Sequence, residues 1–294
     1  MDQWMSQLAP QLRALDELAA HGGHMTRAAD SLGIPQSSMS RRIHALEKAL
    51  GVRLITQDGR AVRLTPAAVK LAEQTRRPLR ELEAAIDTVA GEADPDHGTV
   101  RFGFPLTMGA GVVPGLIAEF HRRTPGIRLE IKQAHGSELA ADLKAGTLDV
   151  AVVIPPPDDV EHAVIGTQQI RAVLPTGHPL AARRRLRLDD LRGETFIANP
   201  ASYHLRQITE NWCSDSGFVP HVPVEITDFS TIRELVGRGM GIALLPHDEH
   251  TSRRVREIPL TPNTYRREIA LAWAQTAVTP ASRRLLKFFR QNFS

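Results

Sequence analysis

The segment from Arg27 to Ile55, RAADSLGIPQSSMSRRIHALEKALGVRLI, limits the fold more than any other part of the sequence, because its apolar residues recur with a helical period. The spacing predicts a helix from about Pro35 to Leu50. Four apolar residues lie within about 60° of one another on a helix of 100° per residue, and they are Met39, Ile43, Leu46 and Leu50. This stripe is predicted to be buried.

The opposite face of the same helix is polar and basic. It carries Ser37, Arg41, His44 and Lys48. A charged helix face is usually a solvated surface. Here, however, a shorter helix is predicted before this one, and Thr26 can cap its start while Gly33 can end it. Two short helices joined by a glycine turn have helix-turn-helix proportions, and Ser, Gln and Arg near the start of the second helix can contact base edges or phosphates. The pattern therefore indicates DNA binding.

A hairpin with further basic residues follows. In VRLITQDGRAVRLT, Asp58-Gly59 separates two strand-like runs, and Arg60 and Arg63 lie at the tip and on the return strand. The whole chain has a net charge of only +3, but residues 41 to 63 contain six basic residues against two acidic ones. This local excess lies where a phosphate backbone would be met.

Length and composition exclude several classes of protein. A chain of 294 residues is long enough for two or more domains. The one cysteine, Cys213, excludes an internal disulfide and a multi-cysteine zinc site. No apolar run approaches the roughly 20 residues of a membrane span, and the first residues lack a secretory signal. We expect a cytoplasmic protein with no membrane contact.

From Gly98 onward, short apolar runs alternate with helical stretches. The runs are TVRFGF, IRLEIKQ, LDVAVVI, GIALLP and EIALAWA, and helices are predicted after the first, second and fourth, as in a doubly wound α/β sheet. Ligands in such sheets bind beyond the carboxyl ends of strands, where helix N-termini offer free N–H groups. Candidate positions are Leu106-Thr107, Gly136-Ser137, 199–203 and 228–231. Each of them could also be only a helix cap.

Other chemistry has weaker support. HDEH, residues 247–250, is more typical of a solvated loop than of a metal site, and MGAGVVPG lacks the spacing of a dinucleotide or phosphate loop, so no metal or cofactor is expected. A hydrolase using His135 and Ser137 is the best enzyme alternative, although the two residues are too close in sequence to define a triad. We expect a protein that is not an enzyme.

The stretch MTRAADSLGIPQSSMSRRIHALEKALGVRLI, continued by GRAVRLTPA, resembles the winged helix-turn-helix of LysR-type transcriptional regulators. The resemblance extends over essentially the whole chain. It implies an α/β multidomain protein with an N-terminal winged helix-turn-helix (1–64), a linker helix (65–92) and a C-terminal periplasmic-binding-protein-like module (98–294). Subdomain I of that module would comprise about 98–163 and 268–294, and subdomain II about 164–267.

The predicted site residues fall into two sets. Those expected to contact DNA are Thr26, Arg27, Gln36, Ser37, Ser40, Arg41, Arg42, His44, Arg60 and Arg63. Those expected to contact a small-molecule effector are Leu106, Thr107, Gly136, Ser137, Asn199, Ser202, Tyr203, Phe229, Ser230 and His247.

The resemblance also implies partners. The linker helix would pair with a second subunit, and Leu79, Leu82, Ile86 and Val89 repeat with the spacing of a coiled-coil seam. A homodimer that assembles into a homotetramer is expected on a double-stranded DNA operator, with RNA polymerase a further candidate partner. The effector is expected to be a small polar or anionic metabolite. Because Ile154-Pro155 follows LDVAVV and supplies no charge, a neutral effector remains an alternative. A small-molecule-binding protein without a DNA role is the alternative function.

Overall fold

The structure, a computed structural model, describes residues 2–58, 61–93, 97–109, 111–248, 252–274 and 279–293. Its first part is a three-helix head with a two-stranded wing, followed by one long helix. These elements are α1 (Asp2–Ala20), α2 (Met25–Ser31), α3 (Gln36–Leu50), β1 (Ile55–Asp58), β2 (Ala61–Leu64) and α4 (Pro66–Ala93).

The head is organised around the apolar stripe of α3. Met39, Ile43 and Leu46 are fully buried, and Leu50 is half-buried against the same cluster. Gly33 has a positive φ of 61° after α2, which a glycine adopts without strain. The predicted cap by Thr26 is wrong, because α2 begins at Met25 with His24 as its N-cap residue, two residues earlier than a cap by Thr26 requires. Thr26 therefore lies inside the first turn of α2.

The wing and the linker helix adjoin this head. Strands β1 and β2 pair antiparallel, and β1 extends through Asp58, which the sequence had placed in the turn. Gly59 and Arg60 lie outside the described residues. Helix α4 begins at Pro66, and Thr65 Oγ1 accepts a hydrogen bond from the Ala68 N–H at 3.2 Å, as an N-cap residue does.

The C-terminal module has two α/β halves. In chain order its elements are β3 (Gly98–Pro105), α5 (Val112–Arg123), β4 (Ile127–Ala134), α6 (Gly136–Ala145), β5 (Val150–Val153), β6 (His162–Pro175), β7 (Leu186–Arg187), β8 (Thr195–Ala198), α7 (His204–Asp215), β9 (His221–Glu225), α8 (Phe229–Gly237), β10 (Ala243–Pro246), β11 (Val255–Thr261), β12 (Arg266–Trp273) and α9 (Pro280–Asn292). Short 3-10 turns lie at Leu106–Met108, Pro179–Ala182 and Leu188–Leu191.

Two long antiparallel strands, β6 and β12, belong to both halves. The sheet order is β4-β3-β5-β12-β6-β11-β7, with β10 also paired to β6 and with a parallel β8–β9 pair beside it. One half packs its core around Phe102, Phe120 and Phe289, and the other around Leu174, Ile232 and Leu245. The expected subdomain boundaries at 163/164 and 267/268 fall inside the two shared strands.

One predicted helix is wrong. The run GIALLP, which forms β10, is preceded by α8 and followed by β11 rather than by a helix. The helix after the last run, EIALAWA, is α9. Elements β8, α7, β9, α8 and β10 alternate in this half, but β10 is followed directly by β11, and both of these strands pair with β6.

Candidate functional site

The polar face of α3 is exposed, as its periodicity predicts. Gln36, Ser37, Arg41 and His44 are exposed, whereas Ser40 and Arg42 are half-buried at the edges of the face. Arg41 donates a hydrogen bond from Nη2 to Ser38 Oγ at 3.1 Å, within its own helix. Thr26 and Arg27 on α2 and Arg63 on β2 are exposed as well. Arg60 lies outside the described residues.

A half-buried carboxylate joins this face to the wing. Glu47 Oε1 accepts hydrogen bonds from the N–H groups of Leu54 at 2.8 Å and Ile55 at 3.1 Å, where β1 begins. Its Oε2 lies 2.8 Å from His44 Nδ1. Burial raises the pKa of Glu47, but these hydrogen bonds outweigh it, so the pKa lies below its ordinary value. The ionised carboxylate therefore holds His44 and the start of the wing in place.

A cavity of about 280 Å³ lies between the two halves of the C-terminal module. Its volume is at the small end of ligand sites. It brings together six of the predicted effector residues, and they are Leu106, Thr107, Gly136, Ser137, Ser202 and Tyr203. Pro105, Ala134, His135, Ile154, Pro155, His204, Leu205, Gln207 and Arg267 complete its wall.

Two helix N-termini meet at this cavity, those of α6 and α7, and the short turn Leu106–Met108 lies beside them. Free N–H groups at helix starts favour a negatively charged ligand. At the start of α6, a Cβ atom on Gly136 would lie 2.5 Å from the Ile154 carbonyl oxygen, closer than any side chain is tolerated. Gly136 therefore lets α6 begin against the end of β5, directly at the cavity.

Two aromatic side chains meet across the cavity from opposite halves. The rings of His135 and Tyr203 lie edge to face with centroids 4.6 Å apart, and Tyr203 Oη is 3.5 Å from His135 Nε2. Burial raises the pKa of Tyr203, so the phenol stays protonated at neutral pH. A hydrolase would need His135 to act as the general base for Ser137, but the His135 ring contacts Tyr203.

Arg267 is a cavity residue that the sequence analysis did not single out. Its side chain is 95% buried, and its Nε donates a hydrogen bond to Gln168 Oε1 at 2.9 Å. Its guanidinium carbon lies 5.7 Å from the centre of the Phe229 ring. Arg267 shares the inward face of β12 with Ile269, and the sequence alone does not distinguish it from its exposed neighbour Arg266.

The charge of Arg267 also affects its neighbour His204. Burial, and then the charge of Arg267, lowers the pKa of His204 below its ordinary value. The imidazole is therefore neutral at pH 7. Its Nδ1 is buried and has no hydrogen-bond partner within the part of the chain that the structure describes.

Four predicted effector residues do not line the cavity. Asn199 is buried and donates from Nδ2 to the Ile226 and Thr227 carbonyl oxygens at 2.9 and 3.3 Å. Phe229 packs beneath Arg267 instead. Ser230 Oγ donates to the Asp228 carboxylate, and His247 Nδ1 lies 2.6 Å from Glu257 Oε2.

Three further features that the sequence raised are a metal site, a membrane span and the thiol of Cys213. The His, Cys, Asp and Glu side chains of the described ranges form no group of three that could hold a metal, and the second half of HDEH lies outside these ranges. None of the described helices is long and apolar enough to cross a bilayer. Cys213 is buried in α7 against the core of its half.

Comparison with known proteins identifies the class that this architecture defines. Residues 10–69 match the bacterial regulatory helix-turn-helix protein model of the LysR family, and residues 93–294 match the LysR substrate binding domain. The chain is 30% identical to the transcriptional dual regulator GltC of Bacillus subtilis over 291 residues, 97% of both chains. The chain belongs to the LysR family of transcriptional regulators.

Solved structures agree on the fold. A full-length OxyR variant from Pseudomonas aeruginosa superimposes with a TM-score of 0.77 at 23% identity, covering 97% of this chain and 93% of that one. The effector binding domain of QuiR in complex with shikimate covers 66% of this chain and 96% of its own, with a TM-score of 0.61 at 23% identity. The winged helix-turn-helix, the linker helix and the two-subdomain module predicted from the sequence are thus confirmed. The comparisons do not favour a hydrolase or a plain binding protein.

The environment of Cys213 predicts an unreactive thiol. Burial, with a smaller contribution from Glu210, raises the pKa of Cys213 to about 12, so at pH 7.5 the thiol is almost wholly protonated. We expect Ellman's reagent to modify the native protein at least about 100-fold more slowly than the protein unfolded in urea. A native rate within tenfold of the unfolded rate would show that this part of α7 opens readily.

Proposed function

We propose that this regulator binds DNA through α3 and the wing, and that a small polar metabolite in the cavity between the subdomains controls that binding. The observation that carries the proposal is the cavity, whose walls come from both halves of the module and include the N-termini of α6 and α7. A ligand that contacts both halves binds one arrangement of them better than another. It can therefore shift the equilibrium between two states of the protein.

For DNA, the proposal assigns different roles to the exposed residues. Ser37, Arg41 and His44 would meet base edges in the major groove, because they lie on the face of α3 opposite its buried stripe. Gln36, in the first turn of α3, and Ser40, at the edge of that face, would contact bases beside them. The remaining candidates, on α2, at the edge of α3 and on the wing, would contact the phosphate backbone. They are Thr26, Arg27, Arg42, Arg60 and Arg63.

The linker helix supports a proposal about assembly. Leu82, Ile86 and Val89 are 52%, 59% and 71% exposed, and Leu79 is half-buried on the same helix. Regulators of this family act as oligomers, and an exposed apolar stripe at coiled-coil spacing is a surface that a second α4 could bury. We propose a homodimer formed through this stripe, further assembly into a homotetramer, a cytoplasmic location, and RNA polymerase as a further partner.

The effector is proposed to be a small polar compound, anionic or neutral, that contacts Thr107, Ser137 and the loop at Ser202 and Tyr203. Hydroxyl and N–H groups dominate these positions. Shikimate, the compound in the QuiR structure, is a reasonable member of a first screen because it carries both hydroxyls and a carboxylate. Neutral polyols and amino acids belong in the same screen.

Arg41→Ala is expected to weaken binding to a mapped operator by about 1 to 3 kcal/mol and to relax base preference, because Arg41 is placed on the reading face. Arg63→Ala should weaken binding to all DNA sequences by a similar amount and reduce the dependence of the DNA affinity on salt concentration. Fluorescence anisotropy at several salt concentrations measures both effects. Arg184→Ala, an exposed arginine of the C-terminal module, is the control, and equal binding by Arg41→Ala and the parent would remove the proposed reading face.

The double variant Leu82→Glu and Ile86→Glu is expected to weaken self-association at least about tenfold, because charges would oppose each other across the apolar stripe. Its fold should be unaffected, since both side chains are more than half exposed in the single chain. Sedimentation velocity over a concentration series gives the measurement. Val219→Glu, an exposed valine elsewhere, is the matched control, and unchanged sedimentation of the double variant would contradict the proposed dimer surface.

The effector proposal is tested by thermal-shift screening of small carboxylates, amino acids, shikimate and neutral polyols, followed by operator footprinting with each hit. Thr107→Val and Ser137→Ala should each lose most of the stabilisation, because each removes a hydroxyl group from the cavity wall. Thr264→Val, an exposed threonine that does not line the cavity, should keep it. A hit that stabilises all variants equally binds elsewhere, and a hit that leaves the footprint unchanged is not an effector.

A further inference from the structure

We propose that Arg267 selects the charge of the effector, so that the ligand is a small molecule with a single carboxylate bound to this guanidinium. The inference rests on the proposed function, because it takes the cavity to be the effector site. It goes beyond that function by naming the chemical class of the ligand and the residue that recognises it.

The geometry of Arg267 leaves one nitrogen of its guanidinium without a hydrogen-bond partner. The Nε donates to Gln168 Oε1 at 2.9 Å, and the two residues are direct cross-strand partners on β12 and β6. The face of the group lies 5.7 Å from the centre of the Phe229 ring, within the range of a cation–π contact. Nη2 is buried and, within the described chain, has no hydrogen-bond partner. Gln168 and Phe229 thus fix the group while Nη2 remains to be satisfied.

The surroundings offer this cation no counter-charge. None of the described residues that line the cavity is acidic, and among them Arg267 alone carries a permanent charge. Burial lowers the pKa of Arg267 to about 10, so the group is still charged at neutral pH. A buried, unpaired charge destabilises a fold unless an opposite charge satisfies it. A carboxylate in the cavity, beside the guanidinium that lines it, would supply that charge.

The size of the cavity and its charge limit the ligand to one carboxylate. About 280 Å³ accommodates a small metabolite, and the other polar groups of the wall are hydroxyls, an amide and imidazoles. His204 is neutral because its pKa is lowered, so it offers no second positive charge. A second carboxylate would therefore find no second permanent cation among these residues, only the neutral N–H donors at the starts of α6 and α7, whereas hydroxyl groups on the ligand could pair with Thr107, Ser137 and Gln207.

The position of Arg267 also connects charge recognition to the movement of the two halves. Arg267 lies near the start of β12 and Gln168 lies within β6, and these are the two strands that both halves share. A carboxylate bound there, with the rest of the ligand against the N-termini of α6 and α7, would contact both halves and the strands between them. Such a ligand would bind a closed arrangement of the two halves more tightly than an open one.

The test compares acids with their own amides on the full-length protein without DNA. The probes are sodium formate, acetate, lactate and benzoate against formamide, acetamide, lactamide and benzamide, up to tens of millimolar at fixed ionic strength. Thermal unfolding ranks the probes and calorimetry measures the best pair. Succinate against succinamate, its monoamide, tests the restriction to one carboxylate. We expect the parent to bind the acid roughly 10- to 100-fold more tightly than the amide, as a charge-assisted hydrogen bond in a buried site implies, and succinamate at least as tightly as succinate.

Three variants separate charge recognition from folding. Arg267→Met should bring acid and amide within about twofold of each other and leave the ligand-free protein at least as stable as the parent, because a buried unpaired charge is removed. Arg267→Lys should keep part of the preference. Arg266→Met, the exposed neighbour, should keep all of it. Should Arg267→Met not fold, the charge would be structural and the proposal overturned.

Equal binding of acids and amides by the parent, absence of any carboxylate-specific stabilisation, tighter binding of succinate than of succinamate, or an acid preference that survives Arg267→Met would each overturn the proposal. None of these measurements uses DNA, so their failure leaves the regulator and its DNA interface intact. Conversely, a carboxylate that needs Arg267 to bind but does not alter the operator footprint would contradict the proposed function and leave the assignment of Arg267 in place.

Discussion

The pairing of β6 with β12 is the constraint on which the C-terminal module depends. In the described sheet, β12 pairs with β5 of the first half, and β6 pairs with β11 of the second half. Because β6 and β12 also pair with each other, both halves are built onto these two strands. Their register fixes Arg267 opposite Gln168, and a shift in register between Ile269 and Ala270 follows immediately. Because side chains alternate along a strand, a slip of one residue would exchange buried Arg267 for exposed Arg266 and remove the charge from the cavity.

The two predicted binding regions handle positive charge in opposite ways. On α3 and the wing Arg41, Lys48 and Arg63 are exposed, which suits a polyanionic backbone and a salt-sensitive interaction. In the cavity one guanidinium is buried, held by two neighbours and surrounded by neutral groups. Such a charge is little screened by salt, so it discriminates strongly between a charged and a neutral ligand.

The sequence predicted those features that depend on local periodicity or on chain position. The buried stripe of α3 follows from a 3.6-residue period, and six cavity residues follow from their places just after strands or at helix starts. Arg267 escaped notice because its burial requires β12 to pair with β6, about a hundred residues earlier in the chain. The helix predicted after GIALLP was wrong for a related reason, since long-range pairing brings β11 there instead. Phe229 was selected as a ligand contact, but the structure places it beneath the guanidinium.

Helix α6 places the cavity and the DNA-binding head in one continuous set of contacts. Its first residue, Gly136, lines the cavity, and at its other end a side chain on Gly146 would lie 3.7 Å from Arg80 Cγ of the linker helix. Arg80 in turn lies 3.7 Å from Asp16 of α1, whose carboxylate also accepts a hydrogen bond from Arg76 at 2.7 Å. A ten-residue α-helix is a rigid rod of about 15 Å. Because α6 and α4 are in contact, a displacement of α6 at the cavity would bring its other end against Arg80, so direct packing joins the cavity to the helix that carries the head.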